Sequence, residues 1–390
     1  MENIVCDISA LLFWRTPPLA RLLAAAPEDD PLLRHLVSPY RLRQLRADLA
    51  NCSPLAPGAR CVTHLGKAGR ELMDARGLLA TDFRGPVDVL APSREDRRPS
   101  EVARPRLWSE PVPPDQLCPA GQGVLVVLPA LALRQVAVRA TPVRTALLLG
   151  ELLGSFSVYR PPAPMGELLQ ELADASALVR YQGWQAGVDN GGRLTGLWSH
   201  PPLLTPGTVS DLLEGATSRR GVSKVRAGLE LARPNAASPL EVQAGILLGT
   251  NSRRGGEDLG RFSHNRRVTL SPQAARIARQ ATCFCDLFWE ATDVPSGRAV
   301  AVECQSIAHH FGTQSSVRDA DRATALQMMD AEVVQLTYAQ LVDARRFSAF
   351  SQFLADKLGV ASREKTGREL RAQAKLRFEV LVDWEDLPFV

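Results

Sequence analysis

Two short apolar stretches, Thr282–Trp289 (TCFCDLFW) and residues 298–305 (RAVAVECQ), decide the predicted fold of the C-terminal half of the chain. Both are rich in β-branched or aromatic residues, and a short turn with proline and glycine separates them, which is the pattern of two neighbouring strands. An acid interrupts each run: Asp286 lies within the first, and Glu303 follows four apolar residues in the second. A buried carboxylate is costly without a partner, so these two acids are the first candidates for a functional site.

Helical patterns surround the two predicted strands. Upstream, residues 238–241 (SPLE) open a helix, since serine is a favoured N-cap and proline is favoured in the first turn. Downstream, residues 317–330 and 347–358 have helical spacing, and residues 332–337 form a short β-rich run. Further helices are expected at residues 209–216, 222–232 and 272–280. The order helix, strands, helix, strand predicts an α/β domain in which helices flank a mixed sheet.

The N-terminal half mixes the two periodicities. Residues 87–90 and 124–128 are strand-like, whereas residues 145–153 and 166–177 are helical, which predicts an α+β arrangement. The Asn-Gly-Gly sequence at residues 190–192 favours a tight hairpin turn, because these residues tolerate positive φ.

A chain of 390 residues is long enough for two domains of ordinary size. We place an α+β domain at residues 1–205 and the α/β domain at residues 206–390, which ends in a helix. Proline clusters at residues 160–164 and 201–206 are candidate hinges. Residues 94–106 are polar, proline-bearing and arginine-rich, which predicts an exposed loop, with phosphate contact as the alternative.

Composition indicates a globular protein, with 45% apolar and 23% charged residues. The most apolar stretch, residues 123–133, is too short to cross a bilayer, and the N-terminus lacks the pattern of a secretory signal. We therefore expect no membrane association and a cytoplasmic location. The seven cysteines include no Cys-x-x-Cys pair, which fits a reduced protein. Cys283 and Cys285 are interpreted as buried strand thiols, with a zinc site as the alternative.

The net charge of +4 is mild, but its distribution is uneven. Twelve arginines and lysines between Arg219 and Arg279 face only four acids, Glu230, Glu241, Glu257 and Asp258. Such a segment can hold a phosphate backbone through salt-sensitive contacts. A solvated arginine-rich surface explains the same charge equally well.

The two acids can form a cation site if their strands are neighbours. The carboxylates of Asp286 and Glu303 would then converge on one divalent cation, Mg²⁺ or Mn²⁺, which would offset their burial and mutual repulsion. Gln305 shares a strand face with Glu303, because alternate residues of a strand point the same way, and it becomes the third candidate ligand. Caps or salt-bridge partners are the alternative interpretation of the acids.

Three further residues are candidates near this site. Glu241, in the first turn of its helix, could approach the cation or orient a water, and stabilisation of the helix dipole is the alternative. His310 is the candidate general acid or base, and its neighbour His309 is expected to point away. The group Arg318, Asp319 and Arg322 is interpreted as a helix start with capping and ordinary ion pairs.

An ordered set of short motifs resembles a known family. The motifs are residues 238–241, 285–289, 302–306 with His310, 318–322 and 333–337. Together they resemble the Vsr-related domain of unknown function in the PD-(D/E)XK restriction-endonuclease-like superfamily, over about residues 219–358. The resemblance implies a catalytic acid at Asp286 and a Glu-x-Asp pair at Glu303 and Gln305. Here the last position is glutamine, whose amide oxygen can coordinate a cation but brings no charge.

Residues 123–155 more weakly resemble antitoxins of the type IV abortive-infection class.

We expect a metal-dependent endonuclease that acts on nucleic acid, with DNA as the preferred partner. The alternatives are a catalytically weak or inactive nucleic-acid-binding regulator and an interaction scaffold without a nucleic-acid role. A toxin is a further possible protein partner.

Overall fold

The computed structural model describes residues 3–52, 86–97, 103–120, 124–216, 218–305, 313–361 and 363–387, together with residues 81 and 99. Within these ranges lie twelve strands and fifteen α-helices, so the predicted α/β class is confirmed. None of the helices in these ranges has the length and apolar character that a transmembrane span needs.

The first part of the chain builds a mixed five-stranded sheet in the order β3-β2-β1-β5-β4. Strand β1 runs parallel to β5 and antiparallel to β2, and β2 runs parallel to β3. The elements are β1 (Asn3–Val5), α1 (Asp7–Arg15), α2 (Pro18–Ala25), α3 (Pro31–Leu36), α4 (Pro39–Cys52), β2 (Val87–Ala91), β3 (Ala103–Leu107), β4 (Leu117–Pro119) and β5 (Val124–Val127).

The prediction that residues 94–106 form a loop is wrong at its end. Residues from Ala103 onward form β3, the edge strand of the five-stranded sheet. Its sequence ARPRL does not resemble a strand, because arginine and proline replace the usual β-branched residues. An edge strand tolerates Pro105, since one side of its backbone needs no ladder hydrogen bond.

A small antiparallel sheet, in the order β6-β8-β7, follows in the chain. The elements are α5 (Pro129–Ala137), α6 (Pro142–Leu152), β6 (Phe156–Val158), α7 (Ala163–Asp174), β7 (Gln185–Val188) and β8 (Leu194–Ser199). The predicted hairpin turn is confirmed: Gly191 and Arg193 donate backbone N–H groups to Asp189 at 2.8 and 2.9 Å, and Gly192 has a φ of 80°.

The C-terminal part forms a mixed four-stranded sheet in the order β12-β11-β10-β9. Strand β10 is antiparallel to both β9 and β11, and β11 runs parallel to β12. The elements are α8 (Pro206–Glu214), α9 (Val222–Leu229), α10 (Pro239–Gly249), β9 (Ser263–Thr269), α11 (Pro272–Ala278), β10 (Thr282–Trp289), β11 (Ala299–Gln305), α12 (Thr313–Gln327), β12 (Ala331–Thr337), α13 (Tyr338–Val342), α14 (Ala344–Lys357) and α15 (Gly367–Val380). The predicted mixed sheet with flanking helices is therefore confirmed.

Helices cover both faces of this sheet. On one face Leu287 and Val302 join the main core together with residues of α10. On the other face Cys285 and Ala301 join a smaller cluster that includes Leu326 of α12. Sheet residues near the ends of β10 and β11 therefore lie between α10 and α12.

The main core extends across both halves of the chain. Residues of β1, α6, α10 and β11 belong to one buried apolar cluster. Helices α6 and α10 pack closely, as shown by Gly150: a Cβ added there would lie only 2.5 Å from Cγ1 of Val242. The division into domains at residues 205 and 206 stays a prediction.

Candidate functional site

Asp286 lies where strand β10 departs from regular pairing. The β9–β10 ladder pairs the residues on either side of Asp286 but does not pair Asp286 with Asn265, which has a φ of 49°. The β10–β11 ladder reaches Leu287 and Val302 and goes no further in this direction. The backbone N–H of Cys304 donates instead to Oδ2 of Asp286 at 2.7 Å. The carboxylate thus takes the place of a backbone acceptor and is fixed where the β10–β11 ladder ends.

His264 supports Asp286 from strand β9. The Nδ1–H of its buried ring donates to the backbone carbonyl of Asp286 at 3.1 Å, since a carbonyl can only accept. Burial is the main cause that lowers the pKa of His264 to about 4, and the nearby Arg233 also lowers it. A Cβ on Gly245 would lie 2.6 Å from Nε2 of the ring. The ring is therefore neutral and tightly enclosed.

Glu241 occupies the first turn of α10 and is buried. Its Oε1 accepts from Oγ of Ser238 and its Oε2 accepts from the backbone N–H of Ala237, each at 2.8 Å. Burial is the main cause that raises its pKa, and the neighbouring carboxylate of Asp286 raises it further. The structure thus brings Glu241 close enough to Asp286 for electrostatic repulsion, and its place in the first turn of α10 also fits the alternative interpretation, stabilisation of the helix dipole.

The carboxyl group of Asp286 interacts electrostatically with charged groups on both faces of the sheet. Burial is the main cause that raises its pKa, and Asp319 on α12 raises it too. The N–H of Cys304 and the guanidinium of Arg322 oppose this shift. Asp286 therefore lies between the acid of α10 and the charged residues of α12.

Glu303 is buried and forms an ion pair with Arg322, whose Nη2 contacts Oε2. The other oxygen, Oε1, is buried and has no hydrogen-bond partner within the described parts of the chain. The interpretation of Arg322 as an ion-pair partner is confirmed, but its position is not a helix start, because α12 begins at Thr313. One guanidinium thus serves Glu303 directly and lowers the pKa of Asp286 as well.

The remaining predicted residues divide into two groups. Gln305 is half-buried at the end of β11, opposite Thr337 of β12. His309 and His310, together with the side chain of Arg318, lie outside the described residues.

The donor set favours a hard cation over a soft one. Cys283 and Cys285 are buried free thiols, as interpreted from the sequence, and burial raises the pKa of Cys285 to about 12. Burial also raises the pKa of Cys304, so the thiols of Cys285 and Cys304 stay protonated. Among the residues that the structure describes, no group of three or more His, Cys, Asp or Glu side chains is arranged to hold a metal ion. Carboxylate and amide oxygens are the donors that remain.

No family model matches this sequence, and no curated protein or solved structure matches it. The site's own geometry therefore carries the functional argument.

Sequence reasoning missed two supporting residues. His264 was overlooked because its polar strand, SHNRRVT, lacks the alternating apolar residues that predict a strand. Arg322 was noted, but a single arginine on a helix gives no signal of which acid it will meet. The signal that could have found it is an arginine on the helix directly after a strand that ends in a buried acid.

Proposed function

We propose that residues 206–390 form a restriction-endonuclease-like domain that hydrolyses phosphodiester bonds of nucleic acid with a divalent cation, Mg²⁺ or Mn²⁺. The observation that carries the proposal is Oε1 of Glu303, which is buried and lacks a hydrogen-bond partner among the described residues. A buried carboxylate oxygen without a partner is costly, and a bound cation would remove that cost.

The charge balance of the site supports a cation. Three buried or largely buried acids lie on neighbouring elements of this region: Glu241 on α10, Asp286 on β10 and Glu303 on β11. Among the described residues, the positively charged side chain of Arg322 contacts one of these acids, Glu303. Burial is the main cause that raises the pKa values of Glu241 and Asp286, and the charge of Asp286 adds to the shift of Glu241. Concentrated negative charge of this kind attracts hard cations.

The fold supports the same proposal. Helix α10, strands β10 and β11, helix α12 and strand β12 follow one another in the order that the sequence pattern predicts, and the sheet is mixed and flanked by helices. The two acids that the resemblance implies lie on the adjacent strands β10 and β11. Ligand sites at strand ends are common in such sheets.

Each residue of the site has a role that follows from its position. Asp286 and Glu303 would hold the cation, with the amide oxygen of Gln305 as a neutral donor. When bound, the cation would stabilise negative charge on the phosphate that reacts. His264 fixes the backbone of Asp286, and because it is neutral it adds no competing positive charge.

The basic segment provides a surface for the phosphate backbone. Ten of the twelve arginines and lysines between Arg219 and Arg279 are exposed, including Arg266 and Arg267 on the edge strand β9. Arg266 forms an ion pair with Glu290 at 2.8 Å and is partly neutralised. Contacts of this kind predict binding to nucleic acid that weakens as the salt concentration rises.

A cleavage assay tests the proposed activity. Supercoiled plasmid and single-stranded DNA are incubated with the full chain and Mg²⁺ or Mn²⁺, for the wild type, Asp286→Asn and Asp293→Asn. Asp293 is an exposed acid shortly after β10 and provides a matched control. The proposal expects cleavage by the wild type and by Asp293→Asn and none by Asp286→Asn. Equal cleavage by all three would overturn it.

A nucleic-acid-binding regulator without cleavage is the second candidate. It is favoured by the ion pair of Glu303 with Arg322 and by the neutral side chain of Gln305, which together lower the charge available to a cation. This candidate expects salt-dependent binding without cleavage by the wild type, and cleavage that appears only in Gln305→Asp.

A further inference from the structure

A cavity of about 320 Å³ lies beside strand β3 of the five-stranded sheet and the start of α1. Five arginines line it: Arg97, Arg104, Arg106, Arg139 and Arg220. The first part of the chain and Arg220 form the cavity, which shares no residue with the proposed cation site.

Two buried acids lie among these arginines. Asp88 accepts from Nε of Arg104 at 2.7 Å, from Nη2 of Arg104 at 3.0 Å and from Nε of Arg106 at 2.6 Å. Asp7 accepts from Nη1 and Nη2 of Arg139 at 2.9 and 2.5 Å. Five guanidiniums against two carboxylates, 5 − 2, leave three positive charges in excess around the cavity. A purely structural ion-pair network would not require this excess.

An unpaired donor points to a ligand independently of the charge. Gln135 lines the cavity and is 3% exposed, and its Oε1 accepts the backbone N–H of Asp7 at 2.9 Å. Its Nε2 is buried and has no hydrogen-bond partner within the described ranges. Native proteins rarely leave a buried amide donor unpaired, so an acceptor is expected there.

The backbone beside Gln135 is strained. Asp7 has a φ of 56°, in the left-handed region that a residue with a side chain seldom adopts. The hydrogen bond that its N–H donates to Gln135 and those that its carboxylate accepts from Arg139 hold it there, and the carboxylate also accepts the N–H of Ile8 at 2.8 Å. Strain of this kind persists only where the surroundings enforce it and is common at ligand sites.

The outer wall of the cavity is also fixed. Trp108 is buried, and the guanidinium of Arg220 lies over its ring, 5.6 Å from the centroid. Nη1 of Arg220 donates to the backbone carbonyl of Leu107 at 2.9 Å. Arg220 is thus held in place with other N–H groups left for a ligand.

We infer that this cavity binds the phosphate group of a small phosphorylated molecule. Its polar lining consists largely of donors, namely guanidinium and amide N–H groups, which match a ligand with several negative acceptor oxygens. The volume lies at the lower end of the range of small-molecule pockets, so a phosphate ester fits better than a polymer. Part of the lining lies in residues 94–106, for which phosphate contact was the alternative interpretation of the sequence.

Calorimetric titration of the full chain in phosphate-free buffer tests this inference, with inorganic phosphate, AMP and uncharged adenosine as probes. The variants are Arg97→Gln, Arg220→Gln and Gln135→Glu, which keeps an acceptor for the N–H of Asp7. Arg94→Gln is the matched control, because Arg94 is exposed on the same turn and does not line the cavity. Thermal unfolding of each variant checks that it is folded.

The inference expects saturable binding of inorganic phosphate or AMP but not of adenosine. Loss of one charged hydrogen-bond donor should weaken binding about tenfold in Arg97→Gln and in Arg220→Gln. Gln135→Glu should abolish binding, and Arg94→Gln should leave it unchanged. Absence of phosphate and AMP binding at millimolar concentration, or an equal effect of Arg94→Gln and Arg97→Gln, would overturn it.

Discussion

The guanidinium of Arg322 contacts one carboxylate oxygen of Glu303 and leaves the other buried without a hydrogen-bond partner in the described structure. This asymmetry has a direct consequence. The ion pair neutralises one side of the acid, while the second oxygen has no hydrogen-bond partner among the described residues. Stability and cation binding at this position should therefore be linked.

The Arg322→Gln variant tests this link. It should lower the free energy of unfolding by about 2 kcal/mol, less than for a fully buried pair, because about a third of the Arg322 side chain is exposed. Added Mg²⁺ should raise the melting temperature more in the variant than in the wild type, since the cation can replace the lost charge. The double variant Arg322→Gln/Glu303→Gln, which has no unpaired charge, is the control and should show no extra response to Mg²⁺.

Charge at position 305 should control activity. Gln305→Asp adds a carboxylate on the strand face of Glu303, so it should tighten Mn²⁺ binding and increase plasmid cleavage. Gln305→Asn keeps a neutral amide and should behave like the wild type. Both variants are compared by Mn²⁺ titration and by the rate of plasmid nicking. Weaker cation binding in Gln305→Asp than in Gln305→Asn would contradict the assignment of this residue.

His264 should make the protein less stable in acid. Its folded pKa is about 4, below the ordinary value of 6.5, so the unfolded chain binds a proton between these pH values and the folded protein does not. The stability is fully present above pH 6.5 and is lost as the pH falls to about 4, by on the order of 3 kcal/mol. The free energy of unfolding is measured with urea at pH 7 and at pH 4.5. The loss of stability between these two pH values should be smaller in His264→Gln than in the wild type. His35→Gln, at an exposed histidine, should retain the wild-type difference.

Close packing of α10 on β9 should make Gly245 intolerant of a side chain. A Cβ there would lie 2.6 Å from Nε2 and 2.8 Å from Cε1 of the buried His264 ring. Gly245→Ala should lower the free energy of unfolding by about 1–3 kcal/mol, although alanine favours helices. Gly207→Ala is the matched control, because the nearest atom to its added Cβ lies at 3.6 Å in Thr205. Equal stability of the two variants would mean that the packing is looser than described.

The sequence predicted the strands that carry the acids because their signal is local. Thr282–Trp289 is a strand over the predicted residues, and residues 298–305 differ from β11 by one residue. Ser238 is the predicted N-cap of α10, and its Oγ accepts the N–H of Glu241 at 3.3 Å. Alternating apolar residues and capping residues are short-range patterns, so they can be identified without knowing tertiary contacts.

The partners of the site depend on tertiary contacts and could not be predicted in this way. The edge strands β3 and β9 carry arginines and a proline where a strand usually has apolar residues, so neither shows a clear period of two. Without β9, the position of His264 behind Asp286 could not be inferred. The contact of Arg322 with Glu303 likewise depends on how α12 packs on the sheet.

Binding of Mn²⁺ to the full chain, followed by electron paramagnetic resonance, is the most direct test that the acids near Asp286 form a cation site. The account predicts saturable binding of Mn²⁺ by the wild type and by Asp293→Asn, with at least one site lost in Asp286→Asn and in Glu303→Gln. No saturable binding by the wild type, or the same binding in all four proteins, would contradict it.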